Sequence, residues 1–429
     1  MSPHAPALDH HADPWWAFVE GAADRSGSVF YFERGESPGR SGRYSFFGFD
    51  PDARDVWKEA CDVRTSPLRK LAGDRSRADG SWVGFVGFDA VGQFEPLLRP
   101  STPAGSPFPP AVFERYPRIA HQHQVRPPSR RPAPKLPEEP KLGSLSDSAS
   151  RVSYERSVGK LKEAIYDGDA FQVVLAHRRT RRLNGSLLPF VDRLRRTERF
   201  AFLYYLRLAD GVEGDRSGLV EIAGASPESV VEVRDGRLAV NPIAGTRPFL
   251  SPTRGPDARL PLDKDPKELA EHRMLVDLAR NDIGRVARTG TVRLARREVR
   301  VPFAHVEHLV SRVTGHLKEG SDAVDALSVT FPAGTVSGAP KIRATELLRK
   351  EERTWRGPYG GAVGIVTPGG EADFALAIRS AFATRGAVHT EAGAGIVHLS
   401  NPTQEWEETL AKLATVERAL CPRPGGRRP

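Results

Sequence analysis

Two acidic pairs share one spacing in this chain of 429 residues. Glu268 and Glu271 stand three apart in KELAEH (267–272), and Glu405 and Glu408 do so in NPTQEWEETL (401–410). On a helix that spacing puts both carboxylates of a pair on one face. An acidic first turn favoured by the helix dipole has the same pattern. Taken together, the pairs also offer four hard oxygen donors, the ligand type that magnesium takes beside water and substrate. Two glycine-rich stretches, FPAGTVSGAPK (331–341) and EAGAGIV (391–397), allow an anion close to backbone N–H groups. Neither has the spacing of a phosphate-binding loop, so they read either as tight turns or as carboxylate cradles. Gln172, Glu228, His308, Tyr359 and Arg379 complete the set, each of a type that serves structure as readily as chemistry. No nucleophile stands out, because Cys61 (EACDV) and Cys421 (ALCPR) lack a glycine-flanked elbow. His4, His10 and His11 read as solvated side chains of a frayed terminus.

These residues need elements to hold them. Tyr154, Val158, Leu161 and Ile165 recur at helical spacing, and Gly168 stops the run. AFQVVLAHRR alternates as a strand, with Phe171, Val173 and Leu175 on one face and Gln172, Val174 and Ala176 on the other. Residues 219–244 give the strands LVEIAGA, SVVEV and RLAVNPIA, with a hairpin turn at Asp235-Gly236. A helix is predicted from about Pro266 to Arg288, capped by Asp265 and carrying the first acidic pair. Strands and helices come in mixed runs, which favours an α+β or sandwich-like fold over a doubly wound sheet. Proline, serine and charge dominate residues 126–150, predicting a linker or exposed crossing between an N-terminal region (1–125) and a longer one (151–420), with a disordered tail at 421–429.

The net charge is +9, but the arginines are dispersed and part of the excess lies in RPGGRRP. That fits a field steering a small anion better than a nucleic-acid surface. Two cysteines make no disulfide framework, and no secretory h-region or membrane-spanning apolar run is found. A cytoplasmic chain without membrane or nucleic-acid partners is expected.

Set side by side, GDAFQVVLAHR (168–178), GASPE (224–228), PIAGTRP (242–248), DPKELAEHRMLVDLARNDIGRV (265–286), HVEHLVSRVTG (305–315), FPAGTVSGAPKIRA (331–344), GPYGGAVG (357–364), LAIRSA (376–381) and EAGAGIV (391–397) resemble the chorismate-utilising enzymes. The resemblance runs almost continuously over 151–420, and more weakly through GRYSFFGFDP (42–51) and GFVGFD (84–89). It implies an α+β fold of two packed β-sheets flanked by helices, with the site between them. It implies Mg2+ held by Glu268, Glu271, Glu405 and Glu408 and bridging to the ring carboxylate of chorismate, which also meets the backbone at Gly338 and Ala339. Tyr359, Arg379 and the amides near Gly393 and Gly395 would hold the enolpyruvyl carboxylate, a task that suits the planar fork of arginine. Ala244, Gly245, Thr246, Ala394 and Lys412 fall at further substrate positions, and Thr335 at a catalytic one. The reaction implied is attack at ring carbon 2 with loss of the carbon-4 hydroxyl. Hydroxide leaves poorly, so Glu228 would protonate it, which requires a raised pKa.

Within the family, branches that add water carry a lysine base where this chain has Gln172. A neutral amide cannot deprotonate water, whereas ammonia is already a nucleophile, so amination is implied. Ala244 occupies a position where many aminodeoxychorismate synthases carry lysine and anthranilate synthases carry alanine. His308 matches the histidine associated with pyruvate elimination. The implied activity is that of an anthranilate synthase large subunit, a lyase; the alternative is an amination-only enzyme making aminodeoxychorismate or 2-amino-2-deoxyisochorismate. With no cysteine-dependent glutaminase region, ammonia would come free or from a separate glutamine amidotransferase in a hetero-oligomer. One departure stands out. Anthranilate synthases hold inhibitory tryptophan with LLES and NPSPY segments, where this chain has YFER (31–34) and ERFAF (198–202). Arg34 replaces the serine, so weak or absent tryptophan inhibition is expected.

Overall fold

The computed structural model describes residues 13–23, 25–35, 43–57, 80–98, 105–124, 134–198, 200–209, 219–248, 261–302 and 306–421. Among them, strands rich in aromatic and β-branched residues assemble into two antiparallel sheets of eleven and ten strands. The first runs in the order Gly338–Ala339, Gln172–Asn184, Ala387–Ile396, Ser380–Thr384, Leu219–Ser226, Phe202–Ala209, Val29–Arg34, Arg43–Phe49 and Ala120–Gln124. The second runs Ile243–Pro248, Val306–His316, Arg237–Val240, Ser229–Arg234, Ala372–Leu376, Ala362–Val366, Ser81–Val86, Ala111–Tyr116 and Ala53–Trp57. The N-terminal strands therefore extend both sheets. The α+β architecture of two sheets with flanking helices is the one expected.

Phe30, Phe32, Phe85, Val112, Tyr204, Ile222, Val363 and Phe382 fill the space between the sheets. Each such side chain contributes about 1.5–3 kcal/mol on burial. Helices Pro14–Ala23 and Leu188–Thr197 cover the first sheet through Trp15, Phe18, Phe190 and Val191. Helices Pro266–Gly284, Ala323–Thr330 and Lys341–Glu352 bring Ile283, Leu327 and Leu348 to a core that includes Val231 and Phe374 of the second.

Helix Arg151–Tyr166 buries Tyr154, Val158, Leu161 and Ile165, and Ser150 caps it by accepting from the Ser153 N–H at 3.2 Å. The strand after it begins at Gln172. Val173 and Leu175 pack with Tyr154 and Leu161 as expected, but Phe171 does not share their face. It precedes the strand and is 70% exposed, while its N–H donates to Ala339 O at 2.7 Å. The Asp235-Gly236 hairpin forms, with both residues at positive φ as a tight two-residue turn requires. Asp265 caps the next helix by accepting from the N–H groups of Lys267 and Glu268. That helix ends at Gly284 rather than Arg288, because Ala287 bridges to Leu317 and the Arg288 N–H donates to His316 O. From residue 134 on, the stretch expected to be a linker or crossing runs along Gln172–Asn184, pairing through Lys141–Leu142 and Ser146–Asp147. No helix among the described residues is long and apolar enough to cross a membrane.

Candidate active site

Both sheets line one cavity of about 160 Å³. Val174, Glu391 and Gly393 come from the first sheet, Ala244 and His308 from the second, Lys412 from helix Pro402–Leu420, and Glu228, Thr335, Tyr359 and Arg379 from connections.

Glu228 lies where the chain passes from the first sheet to the second, between strands ending at Ser226 and starting at Ser229. Its N–H donates to Ser226 Oγ at 3.2 Å, which fixes the turn. The residue is 8% exposed, and the Thr335 hydroxyl donates to Oε1 at 2.7 Å. Burial pushes the carboxyl up to about 8, and the Thr335 bond only partly opposes this. Burial thus favours the protonated form of Glu228.

His308 sits opposite Thr246 in the pairing of Val306–His316 with Ile243–Pro248. Its Nδ1 is 2.9 Å from Gly245 O. A carbonyl only accepts, so Nδ1 carries the ring hydrogen and Nε2 is left as the basic nitrogen. Burial lowers the pKa, so the ring is neutral. The register shifts between Ala244 and Thr246, and Gly245 has φ +68 at that irregularity. A Cβ there would stand 2.8 Å from Glu268 Oε2, so glycine is needed both for the turn and for the approach of Glu268. The side chain of Thr246 lies outside the described residues, as do His4, His10, His11 and Cys61.

Tyr359 and Arg379 share the cavity. Burial holds the Tyr359 hydroxyl well above its usual range, with Arg356 opposing. Arg379 Nη1 donates to Lys412 O at 3.1 Å. Lys412 Nζ donates to Gly393 O at 2.7 Å and pairs with Glu408 Oε1 at 2.7 Å. Gln172 is on the same strand face as Val174, buried, with Oε1 lacking a hydrogen-bond partner. Its Nε2 lies 2.7 Å from where a Cβ on Gly395 would be. Gly338 and Ala339 pair with Val173 and Gln172, and Gly338, at φ +129, leaves room for Gln172 O. Ala394 alternates to the opposite face, and its methyl joins the core with Leu175.

The two acidic pairs begin two helices. Asn401 caps the second by accepting from the N–H groups of Thr403 and Gln404. Glu271 is pushed up by burial and then by Glu268, with Glu408 adding to it across the helix ends. Glu405 is raised by burial, with Glu408 adding and a bond to Ser400 opposing. Among the described residues no three acidic, imidazole or thiol groups stand close enough to hold one metal ion. The donor chemistry nevertheless fits a hard divalent cation, since carboxylates from both helix ends already feel one another's charge, and a cation relieves that repulsion.

Sequence reasoning passed over three residues here. Glu391 lines the cavity at 5% exposure. Its signal was available, as a charge at the start of an otherwise small and apolar strand segment, on the face of Gly393. Arg356 is buried and donates to Val336 O at 2.6 Å, to Val174 O at 2.7 Å and to Glu352. Asp89 accepts from the N–H groups of Arg356 and Gly357 and is pushed by burial to about 6. Away from the cavity, Arg34 is buried in ion pairs with Glu232 and Asp373, and its guanidinium lies 5.0 Å over the Phe202 ring. The two segments that depart from the family pattern thus meet each other.

A cavity that brings together a carboxyl whose protonation burial favours, an imidazole whose pKa burial lowers and two cationic side chains is equipped to bind a small organic anion and move protons on it. Residues 27–418 match the family described as chorismate binding enzyme, and the chain belongs to that family of enzymes. Anthranilate synthase component 1 of Methanothermobacter marburgensis is 38% identical over 92% of this chain and 90% of that protein. The 2-amino-4-deoxychorismate synthase of Streptomyces globisporus is 40% identical over 67% of this chain and 57% of that one. The crystal structure of anthranilate synthase component I from Streptococcus pneumoniae superposes with a TM-score of 0.72 at 30% identity, covering 89% of this chain and 93% of that chain.

Proposed function

We propose that the chain is the synthase subunit of an anthranilate synthase. It aminates chorismate at ring carbon 2 with loss of the carbon-4 hydroxyl, then eliminates pyruvate. The observation that carries this reading is the buried Glu228 held by Thr335 in a cavity shared with His308, whose Nδ1 faces Gly245 O; burial favours the protonated carboxyl and the neutral ring. Glu228 gives its proton to the departing hydroxyl, which leaves as water. Gln172 offers a carbonyl oxygen that can accept an N–H of ammonia but cannot act as a base on water. His308 Nε2 takes the ring proton whose loss makes the product aromatic. Arg379, Lys412 and the Tyr359 hydroxyl bind carboxylate, the guanidinium as a two-pronged donor. Magnesium, held by Glu268, Glu271, Glu405 and Glu408, would supply positive charge for the ring carboxylate. Anthranilate synthase component 1 is by name one part of a two-component enzyme, so ammonia is expected from a separate glutamine amidotransferase.

Likeness to the 2-amino-4-deoxychorismate synthase supports a second reading, amination without pyruvate loss. Incubation with chorismate, magnesium and ammonia, following pyruvate and anthranilate fluorescence together, separates the two. Equal release of both supports the first reading. Chorismate loss with neither supports the second, and no chorismate loss refutes both.

A further inference from the structure

The cavity holds a second buried acid that the scheme above does not use. Glu391 lies on Ala387–Ile396, directly opposite Arg178 in the register with Gln172–Asn184. Its Oε2 is buried without a hydrogen-bond partner. Leaving a carboxyl oxygen unpaired inside a protein is unfavourable, so the position asks for a reason. Two guanidiniums are close at hand, with their Nη atoms engaged elsewhere, and Arg178 Nε, like Glu391 Oε2, is buried without a partner. Arg178 uses its Nη atoms on Trp355 O and Thr354 Oγ1 and stacks on the Trp355 ring at 3.5 Å. Arg356 uses its own on Val336 O, Val174 O and Glu352. Besides these two guanidiniums, Glu352, Asp89 and Tyr359 face Glu391, and burial outweighs all of them in setting its protonation. Glu391 thus carries a proton at neutral pH.

Position sets it beside Tyr359 rather than Gln172. Glu391 belongs to the Tyr359 end of the cavity. Gln172 sits at the far end of the same strand face, beyond Ala176 and Val174. Under the proposed function, on which this inference rests, Tyr359 and Arg379 hold the enolpyruvyl carboxylate, and the methylene carbon next to that carboxylate must gain a proton as pyruvate leaves.

We propose that Glu391 donates that proton. In the elimination, His308 Nε2 takes the hydrogen from ring carbon 2, and its electrons complete the aromatic ring. The bond from ring carbon 3 to the ether oxygen breaks, that oxygen becomes the ketone of pyruvate, and the methylene carbon takes hydrogen from the Glu391 carboxyl to become methyl. One proton arrives at His308 and one leaves Glu391, so charge and atoms balance and solvent restores both groups. The overall reaction breaks two C–O bonds, and each cleavage is assigned its own protonated carboxyl, Glu228 for the hydroxyl and Glu391 for the enolpyruvyl group.

The test uses the full chain with chorismate, magnesium and ammonia, comparing wild type, Glu391→Gln and Glu391→Asp. Chorismate, aminated intermediate and pyruvate are measured by mass spectrometry, with pyruvate trapped by reduction to lactate as it forms. In Glu391→Gln, pyruvate release should fall on the order of 10²-fold relative to chorismate consumption, the usual weight of a positioned acid, and the aminated intermediate should accumulate. Glu391→Asp, still an acid, should recover part of the release. In D2O, wild-type pyruvate should carry one deuterium in its methyl group. The proposal is overturned if the glutamine variant keeps the wild-type ratio of pyruvate to chorismate consumed. A parallel loss of both steps also overturns it, since that marks a structural role, as does methyl hydrogen drawn from the ring with no solvent deuterium. A wild type that aminates chorismate without releasing pyruvate overturns the proposed function itself, a result distinguished by appearing before any variant is made.

Discussion

Replacing Glu228 by glutamine tests the protonation of the central acid without any assay of activity. The carboxyl has an ordinary value of 4.5 and is pushed to about 8 in the folded chain. Between those values the folded state binds one more proton than the unfolded state. For an acid raised in this way, the stabilising contribution is complete below the unfolded value and is lost as pH rises through the folded one. Each pH unit in the window changes stability by about 1.4 kcal/mol, so a window of about 3.5 units amounts to roughly 5 kcal/mol at most. Glutamine keeps the shape and can still accept from Thr335, but does not titrate. Urea unfolding of wild type and Glu228→Gln near pH 5 and again near pH 9 should therefore show the variant gaining on the wild type by several kcal/mol at the alkaline end. A difference that stays constant across pH would refute the reasoning. It would mean that Glu228 ionises as an ordinary carboxyl, and a carboxylate cannot protonate a departing hydroxyl.

Other expectations follow from the same geometry. Tryptophan titrated into the chorismate assay should leave the rate unchanged, because Arg34 fills the serine position and is bound to Glu232 and Asp373; inhibition at micromolar tryptophan would contradict this. Glu271→Gln should abolish magnesium-dependent turnover while leaving circular dichroism and melting temperature near wild type, and full activity in that variant would remove the metal assignment. His308→Ala should still consume chorismate with ammonia but release pyruvate on the order of 10²-fold more slowly, as expected for loss of a positioned base. Arg34→Met should lose roughly 3–5 kcal/mol in urea unfolding, since it leaves Glu232 and Asp373 short of a buried partner; a loss below about 1 kcal/mol would show that the pairs are not formed.

Much of the fold was legible because the periodicities are clean. Tyr154, Val158, Leu161 and Ile165 announce a helix, and Asp235-Gly236 announces its hairpin. The helix end at Gly284 was not legible, because the competing bonds come from His316 and Leu317, far along the chain. Phe171 misled for a related reason. Alternation assigns a face only inside a strand, and the strand starts one residue later. In the cavity, resemblance to the family pointed to Glu228 and His308, but their protonation depends on burial and on partners such as Thr335 and Gly245 O that spacing does not reveal. Glu391 was hidden in a segment read for its glycines. An acid in a strand is unremarkable until the register puts it opposite Arg178 and inside the cavity.

One long-range relationship concerns how the cavity is held in shape. Asp89, in the turn after strand Ser81–Val86, accepts from the N–H groups of Arg356 and Gly357 at 3.1 and 2.7 Å. Arg356 in turn ties the backbone of Val336, next to Thr335, to that of Val174, next to the Gln172 end of its strand. One buried guanidinium thereby sets the spacing between the wall that carries the Glu228 partner and the sheet that carries Glu391 and Gly393. The backbone that carries this guanidinium is anchored by Asp89 of the N-terminal region. Apolar residues could fill this volume with similar or greater stability, because a buried ion pair loses much of its attraction to desolvation. They could not direct three backbone segments to fixed points, because dispersion has no direction, whereas each N–H···O bond does. On this reasoning the N-terminal strands do more than complete two sheets. They fix the Gly357–Tyr359 turn against the end of a strand of the second sheet, and so hold Tyr359 at the end of the cavity where Glu391 waits.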